Sequence, residues 1–309
     1  MKSTENVTNQ QKIRADHSVR IKINKDLCIA CRTCLKVCPY DVLVQDIDGR
    51  PKSHGEENCV SCGHCVAVCP EEALMHVEFL ENRIKPINPF MRPNSDQTIH
   101  LLRSRRSIRA FESKPVEKEL IELIIDGANT GPSPHNAHRV DYVVVQDTET
   151  RNNIINEVAE FYGKSIFLMK NKDALEKMPE NVQKRINAAQ SQLKNMERQF
   201  NRIKISNDIL QRGTPSLLVL HALKTSNDLF EPKIDATIAM QNASLVCSSL
   251  GLGSCELGYV EIIATKSLEI QNLLNIPENH TIYGILAIGY PEYTFKNWIE
   301  KERPKITWK

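Results

Sequence analysis

Cys28-Ile29-Ala30-Cys31-Arg32-Thr33-Cys34-Leu35-Lys36-Val37-Cys38-Pro39 and Cys59-Val60-Ser61-Cys62-Gly63-His64-Cys65-Val66-Ala67-Val68-Cys69-Pro70 are two copies of one pattern, C-x2-C-x2-C-x3-C-P, offset by thirty-one residues. Three thiolates at two-residue intervals in a tight loop can reach three irons of one cubane. The fourth, on a short helix, points away to the other cluster. That allots Cys28, Cys31, Cys34 and Cys69 to one 4Fe–4S cluster and Cys59, Cys62, Cys65 and Cys38 to the second. Pro39 and Pro70 turn the chain just after the crossing ligand and remove a backbone donor there. Zinc sites also use C-x2-C, but zinc rarely spaces three cysteines at two-residue intervals with a fourth at three plus proline.

The chain has ten cysteines, and the remaining two, Cys247 and Cys255, lie far downstream. An even count in a secreted chain would suggest disulfides. The N-terminus, MKSTENVTNQQKIRADH, lacks an apolar core and does not read as a secretory signal. Metal ligation in a reducing interior is therefore the expectation. Cys247 sits in an apolar helix and Cys255 in a glycine turn, which suits buried structural thiols. His64 replaces no ligand of its run and reads as a surface residue.

The 309 residues are 41% hydrophobic and 25% charged, an ordinary balance able to bury a core. Net charge is +2 and the sequence pI about 8.0, so overall charge suggests neither a nucleic-acid nor a membrane-surface partner. No apolar stretch approaches the ~18–20 residues a spanning helix needs. A cytoplasmic location follows as an expectation. Residues 1–20 read as a flexible polar tail and 21–80 as the cysteine repeat, with short β-prone pieces at 19–23, 42–45 and 74–77. Residues 81–97, with Pro86, Pro89 and Pro93, read as a linker. Residues 21–80 resemble the bacterial two-cluster ferredoxin over their whole length.

From residue 98 to 309 helices alternate with apolar strands. Pro115 is placed to start a helix, with Val116, Leu120, Leu123, Ile124 and Gly127 on one apolar face. Strands are expected at 141–145, 216–221 and 282–288, and a small-residue-rich helix at 236–250. Between Pro179 and Gly213, the residues Val182, Ile186, Ala189, Leu193, Met196, Phe200 and Ile203 recur at spacings of four and three. That predicts one sustained helical seam, serving either as an arm against a partner subunit or as a cover over its own core.

Arg103-Ser104-Arg105-Arg106-Ser107-Ile108-Arg109-Ala110-Phe111 places four arginines in seven residues. Guanidinium forks beside a serine hydroxyl suit a dianionic phosphate, although such a run is often only a solvated helix end. Residues 105–111 resemble the opening motif of the nitroreductase family, flavin enzymes that bind FMN. Gly131-Pro132-Ser133-Pro134-His135-Asn136-Ala137-His138 resembles that family's Pro-Ser loop. The usual loop has small residues after the serine and a glutamine at the place of His138, so Pro134, His135 and His138 depart from it. Residues 251–258, Gly251-Leu252-Gly253-Ser254-Cys255-Glu256-Leu257-Gly258, resemble the glycine-rich turn that backs the flavin. Ala287-Ile288-Gly289-Tyr290-Pro291 resembles the closing strand, and Lys301-Glu302-Arg303 the basic pair that completes the phosphate site.

The resemblance implies an α+β protein: a small ferredoxin-like two-cluster domain, then a nitroreductase-like α+β sandwich with a central sheet flanked by helices, enlarged near 165–210. It implies FMN contacts from Arg105, Arg106, Ser107, Arg109, Pro132, Ser133, Asn136, Asn207, Leu257, Gly258, Lys301 and Arg303. No catalytic side chain is required, because the flavin carries the chemistry; His135 and His138 are candidate proton donors only. It further implies a homodimer, and an oxidoreductase fed through its clusters, by ferredoxin or another low-potential donor, that reduces a nitroaromatic, quinone or similar electron-poor acceptor. Two alternatives stand beside it: an electron-transfer protein serving a protein partner, and NAD(P)H oxidation with the clusters as outlet. No G-x-G-x-x-G fingerprint follows a strand, so there is no Rossmann nicotinamide site. NAD(P)H as a substrate would stack directly on the flavin.

Overall fold

Residues 216–223 and 280–289 are apolar at nearly every position, the pattern of strands covered on both faces. In the computed structural model, which describes residues 20–79, 83–205, 213–225 and 231–309, they are the two central strands of the larger sheet. The chain divides into two units. The first reaches to Arg92 and includes Pro134–Ala137; the second comprises Pro93–Ser133 and His138–Lys309.

In the first unit β1 (Ile21–Ile23) pairs antiparallel with β4 (Leu74–His76), and β2 (Leu43–Gln45) with β3 (Pro51–Ser53). Each cysteine run ends in a short helix, α1 (Thr33–Val37) or α2 (His64–Ala67). The repeat is written into the backbone as well. Left-handed φ values recur at the same offset as the cysteines: Ala30 (55°) and Ser61 (51°), Arg32 (61°) and Gly63 (72°), Asp41 (50°) and Glu72 (49°). These reversals curl each loop so that its thiols converge.

In the second unit β5 (Asp141–Val145), β6 (Ser216–Leu223), β8 (His280–Gly289) and β7 (Gly253–Glu256) form a sheet in that order, every pair antiparallel. The two-residue period of the strands divides the core. Leu217, Val219, Ile285 and Ala287 face Ile154, Ile155 and Val158 of α5 (Thr148–Lys170) together with Val260 and Ile263 of α10 (Gly258–Ala264). Leu218, Leu220, Leu286 and Ile288 face Ile121, Ile124 and Ala128 of α4 (Lys118–Asn129) and the alanine-rich face of α9 (Pro232–Ser249). The small residues let α4 and α9 approach closely: a Cβ on Gly127 would lie 2.5 Å from Val246 Cγ2.

The structure corrects several sequence expectations. The segment called a linker ends early, because α3 (Ser95–Ser104) begins inside it with a capping box between Asn94 and Gln97. Pro115 does not open a helix; α4 starts at Lys118 after Glu117, and Leu123 lies outside its buried stripe. The seam after Pro179 is two helices, α7 (Glu180–Ala188) and α8 (Leu193–Ile205), separated by a 3-10 turn at Gln190–Gln192. It covers its own core, with Ile186 packed against Met169 and Leu175, and Ile203 joined to the sheet cluster. The last helix, α11 (Leu268–Leu273), also packs on α5. Part of the glycine-rich turn is the strand β7, and β3 was not anticipated. The expected tail falls almost wholly outside the described residues.

One contact ties the basic segment into this frame. The Ile108 amide donates to the Ser254 carbonyl at 2.9 Å, and a Cβ on Gly253 would meet Ile108 Cγ1 at 2.5 Å. Gly253→Ala is therefore expected to destabilise the protein by about 1–3 kcal/mol through overpacking, read as a lower denaturant midpoint with an unchanged slope.

Candidate functional site

The eight cysteines of the repeat line two separate cavities in the first unit. One, of about 300 Å³, is walled by Cys28, Cys31, Cys34 and Cys69 with Ile29, Pro70 and Leu74. The other, of about 350 Å³, is walled by Cys38, Cys59, Cys62 and Cys65 with Ile21, Val42 and Val60. Three thiols of one run thus meet the fourth of the other, the exchange that the spacing implied.

These thiols range from buried Cys34 to exposed Cys31, with the other six half-buried. Burial pushes Cys65 up to about 11 and raises Cys34 and Cys59 above the ordinary thiol value. Exposed Cys31 goes the other way, because the Thr33 hydroxyl donates to its sulfur at 3.5 Å. Further donors reach the sulfurs: the Ala73 amide lies 3.3 Å from Cys69 Sγ, and His76 Nε2 lies 3.5 Å from Cys59 Sγ. Apolar walls, four sulfurs per cavity and hydrogen bonds onto sulfur fit an iron–sulfur cluster. Exposed His64 takes no part in the wall. Cys247 is fully buried in α9, where burial raises its thiol to about 12, and Cys255 is buried in β7; both belong to the core.

In the second unit, Arg105 caps the C-terminus of α3, and Arg105, Arg106 and Ser107 are half-buried while Arg109 is exposed. Ser107 bridges in parallel to Ser254, and Phe111 bridges antiparallel to Pro291. The Glu112 amide donates to Tyr290 and the Glu292 amide to Ala110. Residues 107–112 are thereby stretched from β7 to the end of β8, with the arginines at the end near Ser254. Two residues beyond β7's Cys255, the Leu257 amide donates to the Ile285 carbonyl at 2.9 Å, so its role is to hold the turn on the sheet.

The glycines of that turn differ in kind. Gly251 has a φ of +73°, and Gly253 has Ile108 against it. Gly258 has neither reason: a Cβ there would meet no other part of the protein within 4 Å, and its φ is ordinary. The missing side chain leaves open space beside the turn, which suits the close approach of a flat ligand.

The Pro-Ser loop is split between the units. Pro132 is exposed, and the Ser133 hydroxyl accepts a hydrogen bond from the His138 amide at 3.0 Å. Within the first unit, the Asn136 side chain donates to the Ser61 carbonyl at 2.9 Å, and His135 Nδ1 shares a hydrogen bond with the Tyr40 hydroxyl at 2.7 Å. A pair missed in the sequence lies beside Ser133: Asp235, 4% exposed, faces Arg139 Nε at 3.4 Å, and burial raises its carboxyl despite the guanidinium. Each sits in an unremarkable polar context, and only the packing of the loop on α9 brings them together. Lys301 and Arg303 are exposed on the extended C-terminal arm. Asn207 lies outside the described residues.

The comparisons with known proteins agree with this geometry. The model of a 4Fe-4S dicluster domain matches residues 20–70. An "FMN reductase (NAD(P)H)" of Bacillus subtilis is 28% identical over 210 residues, covering 63% of this chain and 66% of the relative, so this chain spans just under two thirds of that protein. A "Putative NADH dehydrogenase/NAD(P)H nitroreductase" of Archaeoglobus fulgidus is 24% identical over 199 residues, covering 64% of this chain and 87% of the relative. A crystal structure of a nitroreductase with bound FMN from Desulfitobacterium hafniense shares the fold, with a TM-score of 0.50 and 23% identity over 68% of this chain and 97% of that one. The Nitroreductase family model itself matches residues 102–290, well over half of the sequence. With a 4Fe-4S dicluster domain ahead of that region, the chain belongs to the nitroreductase family of oxidoreductases.

Proposed function

We propose that the protein is an FMN-dependent oxidoreductase whose two-cluster unit supplies electrons for reducing a small electron-poor acceptor, such as a nitroaromatic, a quinone or an activated alkene. The observation that carries this reading is the presence, in one chain, of two four-cysteine cavities and a half-buried arginine segment docked beside an open glycine turn. Bound clusters supply single electrons, and bound FMN exchanges electrons singly or in pairs.

The chain's own residues divide the work of holding these groups. Cys28, Cys31, Cys34 and Cys69 ligate one cluster, and Cys59, Cys62, Cys65 and Cys38 the other. Arg105, Arg106, Ser107 and Arg109 anchor the FMN phosphate, completed by Lys301 and Arg303. Gly258 admits the ring, with Leu257 bracing the turn behind it. Pro132, Ser133, Asn136 and Asn207 are assigned to the flavin on the family pattern. Deep burial is not needed for a proton donor, and exposed His135, whose Nδ1 shares a hydrogen bond with Tyr40, and exposed His138 are both candidates.

A homodimer belongs to this reading. The C-terminal arm exposes Tyr293, Phe295, Ile299, Ile306 and Trp308 without regular structure, and Arg103 stacks over Trp298 at 4.9 Å. An apolar arm of that length is best accounted for by a second copy of the chain that covers it. No helix among the described residues is long and apolar enough to cross a membrane. The NAD(P)H in the relatives' names favours a second reading, in which nicotinamide is the donor and the clusters are the outlet.

Three measurements test these assignments. Cys69→Ser should remove the cluster of the first cavity and Cys38→Ser that of the second, each lowering iron per chain to about half that of the parent. Loss of both clusters from either variant, with the fold intact by circular dichroism, would overturn the exchange of ligands. Arg105→Ala combined with Arg109→Ala should strip FMN. Gly258→Ala should weaken FMN retention while shifting stability by less than about 1 kcal/mol; stoichiometric flavin in both variants would refute the site. Finally, in an anaerobic absorbance titration, chemically reduced ferredoxin should bleach the flavin band, and an electron-poor acceptor should restore it. Rapid bleaching by NAD(P)H alone would favour the reverse direction, and reoxidation only by a protein acceptor would favour an electron-transfer role.

A further inference from the structure

Three residues that the flavin and cluster sites do not use meet at one end of the larger sheet. Asp141 opens β5, His221 lies near the end of β6, and His280 opens β8. The β5–β6 register places Asp141 opposite His221, and the β6–β8 register places His280 opposite Leu223. Between Leu220 and His221 the β6–β8 pairing shifts. Such an irregularity re-aims the side chain beside it, and here the two imidazoles come together. His221 Nδ1 and His280 Nδ1 are 3.0 Å apart, and His280 Nδ1 is 3.7 Å from Asp141 Oδ2. One ligand atom from each residue lies within 4.8 Å of the other two.

We propose that Asp141, His221 and His280 form a binding site for a divalent transition cation, with zinc as the ion it fits best. Two imidazole nitrogens 3.0 Å apart are joined either by one ring N–H donating to the other's lone pair or by a metal between two lone pairs. The third group points to the metal. A carboxylate at the remaining corner makes a two-nitrogen, one-oxygen set, the donor mixture that zinc accepts. At the usual Zn–N length, a 3.0 Å separation of the nitrogens subtends roughly 95° at the metal, near the tetrahedral range. The site is graded in exposure: His221 is 6% exposed within the sheet, His280 is 17% exposed at its side chain, and Asp141 is 63% exposed at its side chain. The exposed side leaves a fourth position for water. A cation held there clamps the start of edge strand β5, three residues after His138, to both central strands.

The test is calorimetric titration of Zn2+ into the full-length holoprotein, with visible absorbance followed to register any cluster displacement. The expected result is one saturable site of micromolar affinity, with the cluster bands unchanged. His280→Ala should abolish that site, and Asp141→Asn should weaken it at least about tenfold. Zinc should also raise the thermal midpoint of the parent and leave that of His280→Ala unmoved. Asp141→Asn lies at an exposed position, so it decides the matter even if His280→Ala fails to fold. Absence of a saturable site, or equal zinc affinity in the parent and Asp141→Asn, overturns the proposal and leaves the histidines sharing a proton.

Discussion

The hydrogen bond from the Ile108 amide to the Ser254 carbonyl is the join on which the second unit's site depends. Without it the arginines are a solvated helix end, as basic runs usually are. With it, residues 107–112 become a short extra strand, bridged to Ser254 at one end and Pro291 at the other. Gly253 is small because Ile108 occupies the volume its side chain would need. The same β7 leads directly into Leu257, whose amide is fixed on Ile285 of β8. The arginine segment and the open glycine turn are thus both referenced to a single strand pair, β7–β8, buried in the core. A rigid sheet edge can hold such a constellation more closely than loops alone.

The cysteine unit was the most legible part of the sequence, because its chemistry is encoded in spacing. Which run contributes the crossing thiol follows from C-x3-C-P, and the two cavities are lined accordingly. The backbone that achieves it was not legible. Of the six left-handed residues that recur at the thirty-one-residue offset only Gly63 is a glycine, and Arg32, Asp41 and Glu72 carry no local signal for a positive φ. In the larger unit, continuous apolar runs pointed to strands at 216–221 and 282–288, and the strands observed extend to 216–223 and 280–289. The break at Gln190–Gln192 did not, since the spacing of apolar residues continues through the 3-10 turn. The Pro115 misreading has a simple cause: proline suits extended as well as first-turn backbone, and here the helix waits until Lys118.

The site residues divide along the same line. Arg105 to Arg109 and Gly258 were visible because a contiguous motif carries them. Asp235 with Arg139, and the Asp141, His221 and His280 set, were not, because each depends on register or packing between segments distant in sequence. His221 offered one faint sign, a histidine in an otherwise apolar strand. A lone histidine there is usually a satisfied core residue, and only the neighbouring strands give it company.

In the first unit the proposed metal and the fold would be coupled. Among its described residues the core cluster has five buried members, Ile21, Cys34, Val42, Leu43 and Leu74, with Ala73 buried besides, too few to stabilise a unit of this size. Against that small gain stand five non-glycine residues in left-handed backbone, each costing about 1–3 kcal/mol. Burial raises three of the thiols, Cys34, Cys59 and Cys65, which disfavours their thiolate forms. Bound clusters would oppose these terms. Coordinated thiols would be held as thiolates, and ligation energy would count as folding energy. On the proposed reading the cysteine loops are a fold that bound clusters would complete, ligation offsetting both the small core and the strained backbone.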